Sequence, residues 1–524
     1  MKILVADQIS GEGLALLKGL AQVDVKTGLK PDELMGIIGD YEGLMVRSAT
    51  QVTAKVIEAG KKLQAIGRAG VGVDNIDVEA ATRRGIIVVY SPTGNTISAA
   101  EHTMGLMLSL ARNIPQANTS LKKGEWRRNE FTGNELRGKT LGIIGLGNVG
   151  AEVARRARAF DMRLLGYDPF VSAEYAKNIQ VDIVPLEELL KSSDFVTLHV
   201  PLNKDTRGLI GEKQLAMMKP TARIINCARG GLIDEELLAK ALKEKKLAGA
   251  AVDVFPTEPP PGSPLFGLDN AVVTPHLGAS THEAQVTAAR DVAEQFVAII
   301  KGEQPRYAIN APFIAPEAMS TLAPFGKVAT KVGKLAYHLA QGQLKNIKVR
   351  YEGEIANYDS KALKAAVLGG LLEEVSESPV NLVNANLIAT QRGLTVVEEK
   401  EVSCQNYASL IKVEILTSAG TTTVAGTILN KEPHIVQLNN YWLDFAPADG
   451  YFLFADHLDR PGLISAVSKV CGDSDVNISA MYVGRLKKRG QAMMVLALDE
   501  PLSEVQLNQI QGVPDIYTAR QVKL

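Results

Sequence analysis

Cysteine is scarce: Cys227, Cys404 and Cys471 are the only three in 524 residues. They are too few for a disulfide framework and too far apart for a metal-binding spacing, so the expected setting is reducing and cytoplasmic. An excess of either charge is missing as well. Lys and Arg total 57 against 58 Asp and Glu, a net charge of −1, which gives no electrostatic case for nucleic acid or for a polybasic membrane contact. No stretch approaches the roughly 20 uninterrupted apolar residues of a membrane span. The opening MKILVADQIS lacks the basic region and long apolar core of a signal peptide. What remains is ordinary globular composition, 46% apolar and 22% charged, with length for three or four domains.

The most informative stretch is Lys139 to Asp168, KTLGIIGLGNVGAEVARRARAFDMRLLGYD. A short apolar run, Leu141 to Ile144, turns through Gly145-Leu146-Gly147-Asn148-Val149-Gly150. Val149, Val153, Ala154 and Ala157 then recur at helical spacing, and a second apolar run, Leu164 to Tyr167, ends on Asp168. Strand, G-x-G-x-x-G, helix, strand and acid stand in the order of a dinucleotide site. Gly145 permits the tight turn, Gly147 lets a pyrophosphate approach the backbone, and Gly150 lets helix and strand pack closely. The helix start offers unpaired N–H groups and partial positive charge to the phosphates. Asp168, eighteen residues after Gly150, can accept from ribose hydroxyls and would repel a 2′-phosphate, which favours NAD over NADP.

Residues 1 to 97 alternate apolar runs (Ile3–Val5, Val23–Val25, Leu44–Val46, Leu63–Ile66, Ile86–Val89) with helical patterns, the pattern of a parallel sheet covered on both faces. Ligands of such sheets sit beyond the carboxyl ends of the strands. That rule singles out Arg47, Arg68 with the Gly70-Val71-Gly72 loop, and Asn95. A helix beginning at Ser98, ISAAEHTMGLMLSLAR, is apolar nearly all round and therefore buried. Trp126-Arg127-Arg128 follows in a loop. Six strand-like segments of the second βα unit then end on Gly145, Asp168, His199-Val200-Pro201, Cys227-Ala228-Arg229, Asp253 and Thr274-Pro275-His276. Polar residues held in one phase over six strands mark that sheet edge as a site.

Ser280 to Gly302 reads as one long helix that returns the chain to the first domain. Pro305, Pro312, Pro316 and Pro324 punctuate a linker. Residues 318 to 446 mix helical patterns, Gly326–Gln341 and Lys361–Val375, with later Thr- and Val-rich strands. From Tyr451 the order is strand, helix, strand, strand, helix, strand, a ferredoxin-like module, with Pro461 expected in the first turn of its first helix.

Three residues can carry hydride chemistry together. His276 can exchange a proton with a hydroxyl at neutral pH. Glu258, in PTEPPPGSPLF, can pair with it, and Arg229 offers a planar fork for a carboxylate. The segments that contain them, NCARGGLIDEEL, VDVFPTEPP and TPHLGAST, resemble those of the D-2-hydroxyacid dehydrogenases. The resemblance implies that Arg229 binds the substrate carboxylate and that His276 is the acid/base, tuned by Glu258. It places Val71, Asn148, Val149, Asp168, Val200, Cys227, Ala228, Arg229, Asp253, His276, Gly278 and Ala279, with the three glycines, around NAD. No metal is implied. GRAGVGVDNID, SPTGNTISAAEH and the two C-terminal domains are similar to long-form members of the family that oxidise 3-phosphoglycerate at the opening of serine biosynthesis.

The implied architecture is α/β: two Rossmann-like domains, substrate-binding (1–97 plus 281–312) and NAD-binding (98–280), then an α+β domain (318–446) and an ACT domain (451–524). In such enzymes the third domain binds substrate or anions allosterically and the ACT domain senses serine, here through ADHLDRPGLISAV and VNISAMYVG. His457, Asp459 and Asn477 are the residues expected to meet L-serine, with N–H groups near Gly462 for its carboxylate. ACT domains pair edge to edge between subunits, so a homodimer or homotetramer is expected. 3-Phosphoglycerate has an anion at each end. Arg229 would take the carboxylate, while Arg47, Arg68, Asn95 and Arg128 would meet the phosphate, with cleft closure before the chemistry. Two alternatives stand beside this reading: another 2-oxo acid such as glyoxylate, hydroxypyruvate or 2-oxoglutarate, and a non-catalytic NAD-sensing regulator. The intact Arg229–Glu258–His276 set argues against the second.

Overall fold

The computed structural model describes residues 1–376 and 379–524. Four sheets follow one another along the chain. The first contains β1 (Lys2–Val5), β2 (Gln22–Val25), β3 (Gly43–Val46), β4 (Ala65–Arg68) and β5 (Ile87–Tyr90), all parallel in the order β2-β1-β3-β4-β5. Strand β4 begins two residues later than the apolar run suggests, because Leu63 is buried in the turn that precedes it. Arg68 is thus the last residue of the strand. The helix His282–Ile300 returns to this sheet, as its sequence position requires. Its Phe296 is wholly buried over β3 and β4. A Cβ on Gly43 or Gly67 would come within 2.9 or 2.5 Å of that ring, so both strands need glycine there.

The second sheet holds β6 (Thr140–Ile144), β7 (Arg163–Tyr167), β8 (Asp182–Ile183), β9 (Phe195–Leu198), β10 (Arg223–Asn226), β11 (Gly249–Val252) and β12 (Ala271–Val273). All are parallel in the order β12-β11-β10-β9-β6-β7-β8. The order reverses between β6 and β9, the switch point at which doubly wound sheets bind ligands. Strand β8, two exposed residues long, is too short to leave a period in the sequence. The apolar helix runs Thr96–Arg112 and packs on β10, β11, β12 and the helix Asn148–Ala159. Asn113, in the left-handed conformation at φ 52°, breaks it from a further helix, Ile114–Lys122.

The third sheet is β13 (Leu344–Gly353), β14 (Thr395–Glu401), β15 (Ser409–Thr417), β16 (Thr421–Leu429), β17 (Glu432–Leu438) and β18 (Tyr441–Phe445), ordered β14-β13-β15-β16-β17-β18. Only β13 and β14 are parallel. Strand β13 lies between the two long helices, where only helical pattern was expected; its period-two burial over ten residues is that of a half-buried strand. The helices Phe325–Leu339 and Lys361–Leu372 cross closely at Gly333 and Gly370, where a Cβ would meet backbone oxygens at 2.1 Å.

The fourth sheet, β19 (Tyr451–Leu458), β20 (Ile478–Arg485), β21 (Gln491–Leu498) and β22 (Ile516–Lys523), is antiparallel in the order β20-β21-β19-β22. Pro461 falls outside its first helix, which runs Leu463–Asp473 behind Gly462 at φ 86°. One face of this sheet carries helices. From the other, Phe452, Phe454, Met493, Val495, Val522 and Leu524 enter the same apolar core as the third sheet. The two C-terminal units therefore share one core.

Candidate active site

The glycine loop separates what the chain needs from what a ligand needs. Gly145 has φ 93°, and a Cβ there would lie 2.6 Å from the His199 carbonyl oxygen; on Gly150 it would lie 2.0 Å from the Gly145 oxygen. Packing alone explains these two. Gly147 has an ordinary φ of −67° and meets no atom within 4 Å. Its open side, at the N-terminus of Asn148–Ala159, fits a dinucleotide pyrophosphate that needs the backbone bare. Val200 packs against Gly145. Asp168 follows β7 beside the loop; its two oxygens accept from Leu146 N–H and Phe170 N–H, each at 2.9 Å. Each oxygen keeps a lone pair for ribose hydroxyls. At the end of β9, burial drives the His199 imidazole down to about 3, so it stays neutral.

A cavity of about 330 Å³ opens between the first two sheets, lined by Arg68, Asn95, Arg229, Glu258, His276 and Ala279 among others. His276 Nδ1 stands 2.6 Å from Glu258 Oε2, and the other Glu258 oxygen accepts from Phe255 N–H at 3.0 Å. Burial pushes the Glu258 carboxyl up, but His276 and the Phe255 N–H outweigh it and hold the group below its usual range. An ionised Glu258 fixes the proton on Nδ1 and leaves Nε2 as the working nitrogen.

Arg229 reaches across the cleft. Its Nε donates to Asp74 at 3.1 Å and a terminal nitrogen to Ala228 O at 2.7 Å. Arg68 has no hydrogen bond or ion pair to its guanidinium among the described residues, and its Nε is buried. Burial first, and then the positive charges of Arg229 and Arg47, outweigh the opposing carboxylates of Asp74 and Asp7 and lower it from 12.5 to about 10. Gly70 and Gly72 admit this crowding, since a Cβ on either would fall about 2 Å from the Arg68 or Arg229 guanidinium. Arg47 stands in this cluster's field but does not line the cavity.

Several expected positions fall elsewhere. Arg128 lies with Leu121, Trp126 and Phe131, away from the cleft, because the helix Ile114–Lys122 carries its loop outward. Val71 does not line the cavity either, although Gly72 next to it does. The Cys227 thiol is pushed up to about 12 by burial and is inert at neutral pH. Asp253 is fully buried directly after β11. It accepts from Thr274 hydroxyl at 2.6 Å, Leu277 N–H at 2.7 Å and Gly278 N–H at 2.9 Å, with His102 Nε2 at 3.2 Å. His276 holds a left-handed φ of 54°, unusual for a residue with a side chain, inside this grip. The structure thus adds Asp74 and His102. Asp74 continues the Gly70–Gly72 loop already singled out, and His102 is a polar residue in an otherwise apolar helix.

In the fourth sheet, His457 is buried and its Nδ1 lies 3.1 Å from Ala455 O. Asp459 accepts from Arg489 N–H at 3.1 Å and Arg485 at 3.3 Å, while Asn477 donates to Asp499 at 2.6 Å. Asp459 adjoins Gly490 just before β21 and Asn477 adjoins Asp499 just after it, roughly 30 Å apart at about 3.3 Å per residue. One amino acid cannot touch both within one chain.

A dinucleotide loop facing a His–Glu pair and an arginine across an interdomain cleft defines a 2-hydroxyacid dehydrogenase. In agreement, residues 104–278 match the family of the D-isomer specific 2-hydroxyacid dehydrogenase, NAD binding domain. Residues 321–439 match the D-3-phosphoglycerate dehydrogenase intervening domain, and 451–515 the ACT domain. The chain is 46% identical over its whole length to D-3-phosphoglycerate dehydrogenase of Synechocystis, covering 95% of that protein. It is 45% identical to the one from Methanocaldococcus jannaschii, with both chains covered completely. Among solved structures, D-lactate dehydrogenase of Aquifex aeolicus, complexed with NAD and lactic acid, is matched over 60% of this chain and all of its own, at 27% identity and TM-score 0.54. The chain belongs to the D-3-phosphoglycerate dehydrogenase family.

Proposed function

We propose that this chain oxidises 3-phospho-D-glycerate at C2 with NAD, and that the unpaired Arg68 is the observation that carries the choice of substrate. A buried guanidinium repelled by two others is costly unless an anion joins it. A phosphate dianion supplies more compensating charge than the single carboxylate of lactate or glyoxylate. Arg68, assisted by Arg47 and Asn95, takes the phosphate end. Arg229 takes the carboxylate, and its fork must be shared with or released from Asp74 to do so. Bound NAD supplies the hydride acceptor. Nε2 of His276 receives the C2 hydroxyl proton, and Glu258 stabilises the imidazolium that results. Val200, Ala228 and the Gly278-Ala279 loop border the cofactor, and Asp168 receives its ribose. The test is NADH formation with 3-phosphoglycerate against D-glycerate, for the native chain and for Arg68→Ala. Charged hydrogen bonds are worth about 1.5–3 kcal/mol, so KM for the phosphorylated substrate should rise roughly ten- to a hundredfold and that for glycerate much less. Equal losses on both would reject the phosphate assignment.

The same reading makes L-serine an effector of the ACT domain in a homo-oligomer. Since Asp459 and Asn477 stand at opposite ends of β21, the site needs two copies paired along an edge, Asp459 of one facing Asn477 of the other. Serine calorimetry on native protein and Asn477→Ala tests it; absence of saturable heat with the native chain rejects the effector.

A further inference from the structure

The loop that follows β3, Arg47-Ser48-Ala49-Thr50-Gln51, borders the cleft: Ser48 and Gln51 line the cavity beside Arg68. Its main chain is gripped at two points by side chains from other strands. Asp7 accepts from Arg47 N–H at 2.6 Å and Thr50 N–H at 3.2 Å through one oxygen, and from the Thr50 hydroxyl at 2.7 Å through the other. Asn75 commits both amide hydrogens to the same two residues, donating to Arg47 O at 2.7 Å and Thr50 O at 2.6 Å. The carboxylate thus holds the N–H groups of the turn and the amide holds its carbonyls. Sheet order brings the pair together, since β3 lies between β1 and β4, Asp7 follows β1 and Asn75 follows β4. Both clamping residues are buried, while Ser48 and Ala49 between the gripped positions are exposed.

A buried carboxylate is an odd neighbour for an anion site. The charge of Asp7 acts on Arg68, so on charge alone its removal should tighten the binding of a phosphate. Its hydrogen bonds argue the other way. With Arg47 and Thr50 fixed, the N–H groups of Ser48 and Ala49 between them have no acceptor among the described residues. Successive bare N–H groups in a turn suit an anion. A loop already fixed also loses no freedom when the ligand arrives. We propose that Asp7 and Asn75 are positioning residues that hold this loop for the phosphate end of the substrate, and so set the preference for a phosphorylated over an unphosphorylated hydroxy acid. The inference rests on the substrate reading given above. Neither side chain is assigned a direct contact: Asp7 is behind the loop, and both amide hydrogens of Asn75 are taken.

The test is steady-state oxidation of 3-phosphoglycerate and of D-glycerate by the full native chain, Asp7→Asn, Asn75→Ala and the double variant. Asp7→Asn removes a negative charge and turns an amide hydrogen towards the donors of Arg47 or Thr50. KM for 3-phosphoglycerate should rise about tenfold and KM for D-glycerate by less than about threefold. Because both residues grip one turn, the double variant should be only slightly worse than the poorer single one, the non-additivity of a shared network. Thr50→Val removes only the hydroxyl donor to Asp7; it should shift KM in the same direction by a smaller factor, and it decides the matter if Asp7→Asn does not fold. Equal rises on both substrates would make the clamp merely structural and overturn the proposal. A fall in KM for 3-phosphoglycerate would also overturn it, since Asp7 would then act by charge alone. So would fully additive losses. A native chain that uses D-glycerate as readily as 3-phosphoglycerate would refute the substrate reading itself, and the role of the clamp with it.

Discussion

Replacing Arg68 with methionine should make the ligand-free protein more stable and a poorer enzyme. The arginine is lowered from 12.5 to about 10. At pH 7, well below both values, it is charged folded and unfolded, and the depression corresponds to a folded-state cost of about 3 kcal/mol. For a base with a lowered value, that cost is present throughout the range below about 10 and fades only as pH rises from there towards 12.5. A methionine side chain would keep much of the apolar stem and drop the charge; among the described residues no hydrogen bond of the guanidinium is lost. Apolar replacement of buried charge is neutral or stabilising by about 1–4 kcal/mol where measured, so Arg68→Met should melt above the native protein without ligand. Adding 3-phosphoglycerate at 100 times its native Kd stabilises the native chain by about 2.7 kcal/mol. A variant that binds ten- to a hundredfold more weakly gains only about 0.4–1.4 kcal/mol at the same concentration. Thermal unfolding with and without 3-phosphoglycerate, beside steady-state KM, reads both effects. A variant less stable than the native chain without ligand, or one with an undiminished ligand shift, would refute the argument that this arginine awaits an anion.

Three further outcomes follow from the same geometry. Asp253→Asn turns one acceptor oxygen into a donor facing Thr274, Leu277 N–H, Gly278 N–H or His102; kcat should fall about a hundredfold as the His276 loop loosens, and stopped-flow hydride transfer checks it. Glu258→Gln leaves His276 Nδ1 a neutral partner at 2.6 Å and should reduce kcat by about tenfold or more, with NADH binding by fluorescence unchanged. Asp194 is pushed up by burial, but the Thr140 N–H and Lys219 outweigh this and hold its carboxyl below 3.8. Its stability contribution is therefore complete well above 3.8 and lost as pH falls below that value, so Asp194→Asn should narrow the gap in melting temperature between pH 7 and about pH 2.

The strand ends of the second sheet were legible because each is a short apolar run followed at once by a polar residue or a glycine, and β6 to β12 repeat that phase. Strand β8 was not, since two exposed residues carry no period. Strand β13 was legible in principle: LKNIKVRYEG alternates cleanly, but the strong 3.6-residue pattern on both sides of it masked the change. His276, Glu258 and Arg229 could be assigned to one edge because each ends or follows a strand. Arg128 could not be placed, as nothing in Trp126-Arg127-Arg128 tells that the preceding helix carries the loop away.

Asp253 is the most instructive residue. It closes a strand at the cofactor edge, and position alone makes it a ligand contact. What sets its role is who reaches it, and those partners are remote in the chain: Leu277 and Gly278 from the next strand's loop, and His102 from a helix 172 residues before Thr274. Such pairings have no local period, charge pattern or spacing to betray them. The same holds for Arg229 and Asp74, 155 residues apart, and for Asn381 on Gly85, 296 apart. Local sequence patterns place a chemical group on an edge because β-strands and helices are periodic. Whether the group then faces ligand, catalytic loop or a neighbouring domain is decided by long-range packing. In this chain the turns at Gly85 and Gly72 and the grip on His276 are all arranged by residues that no local pattern connects.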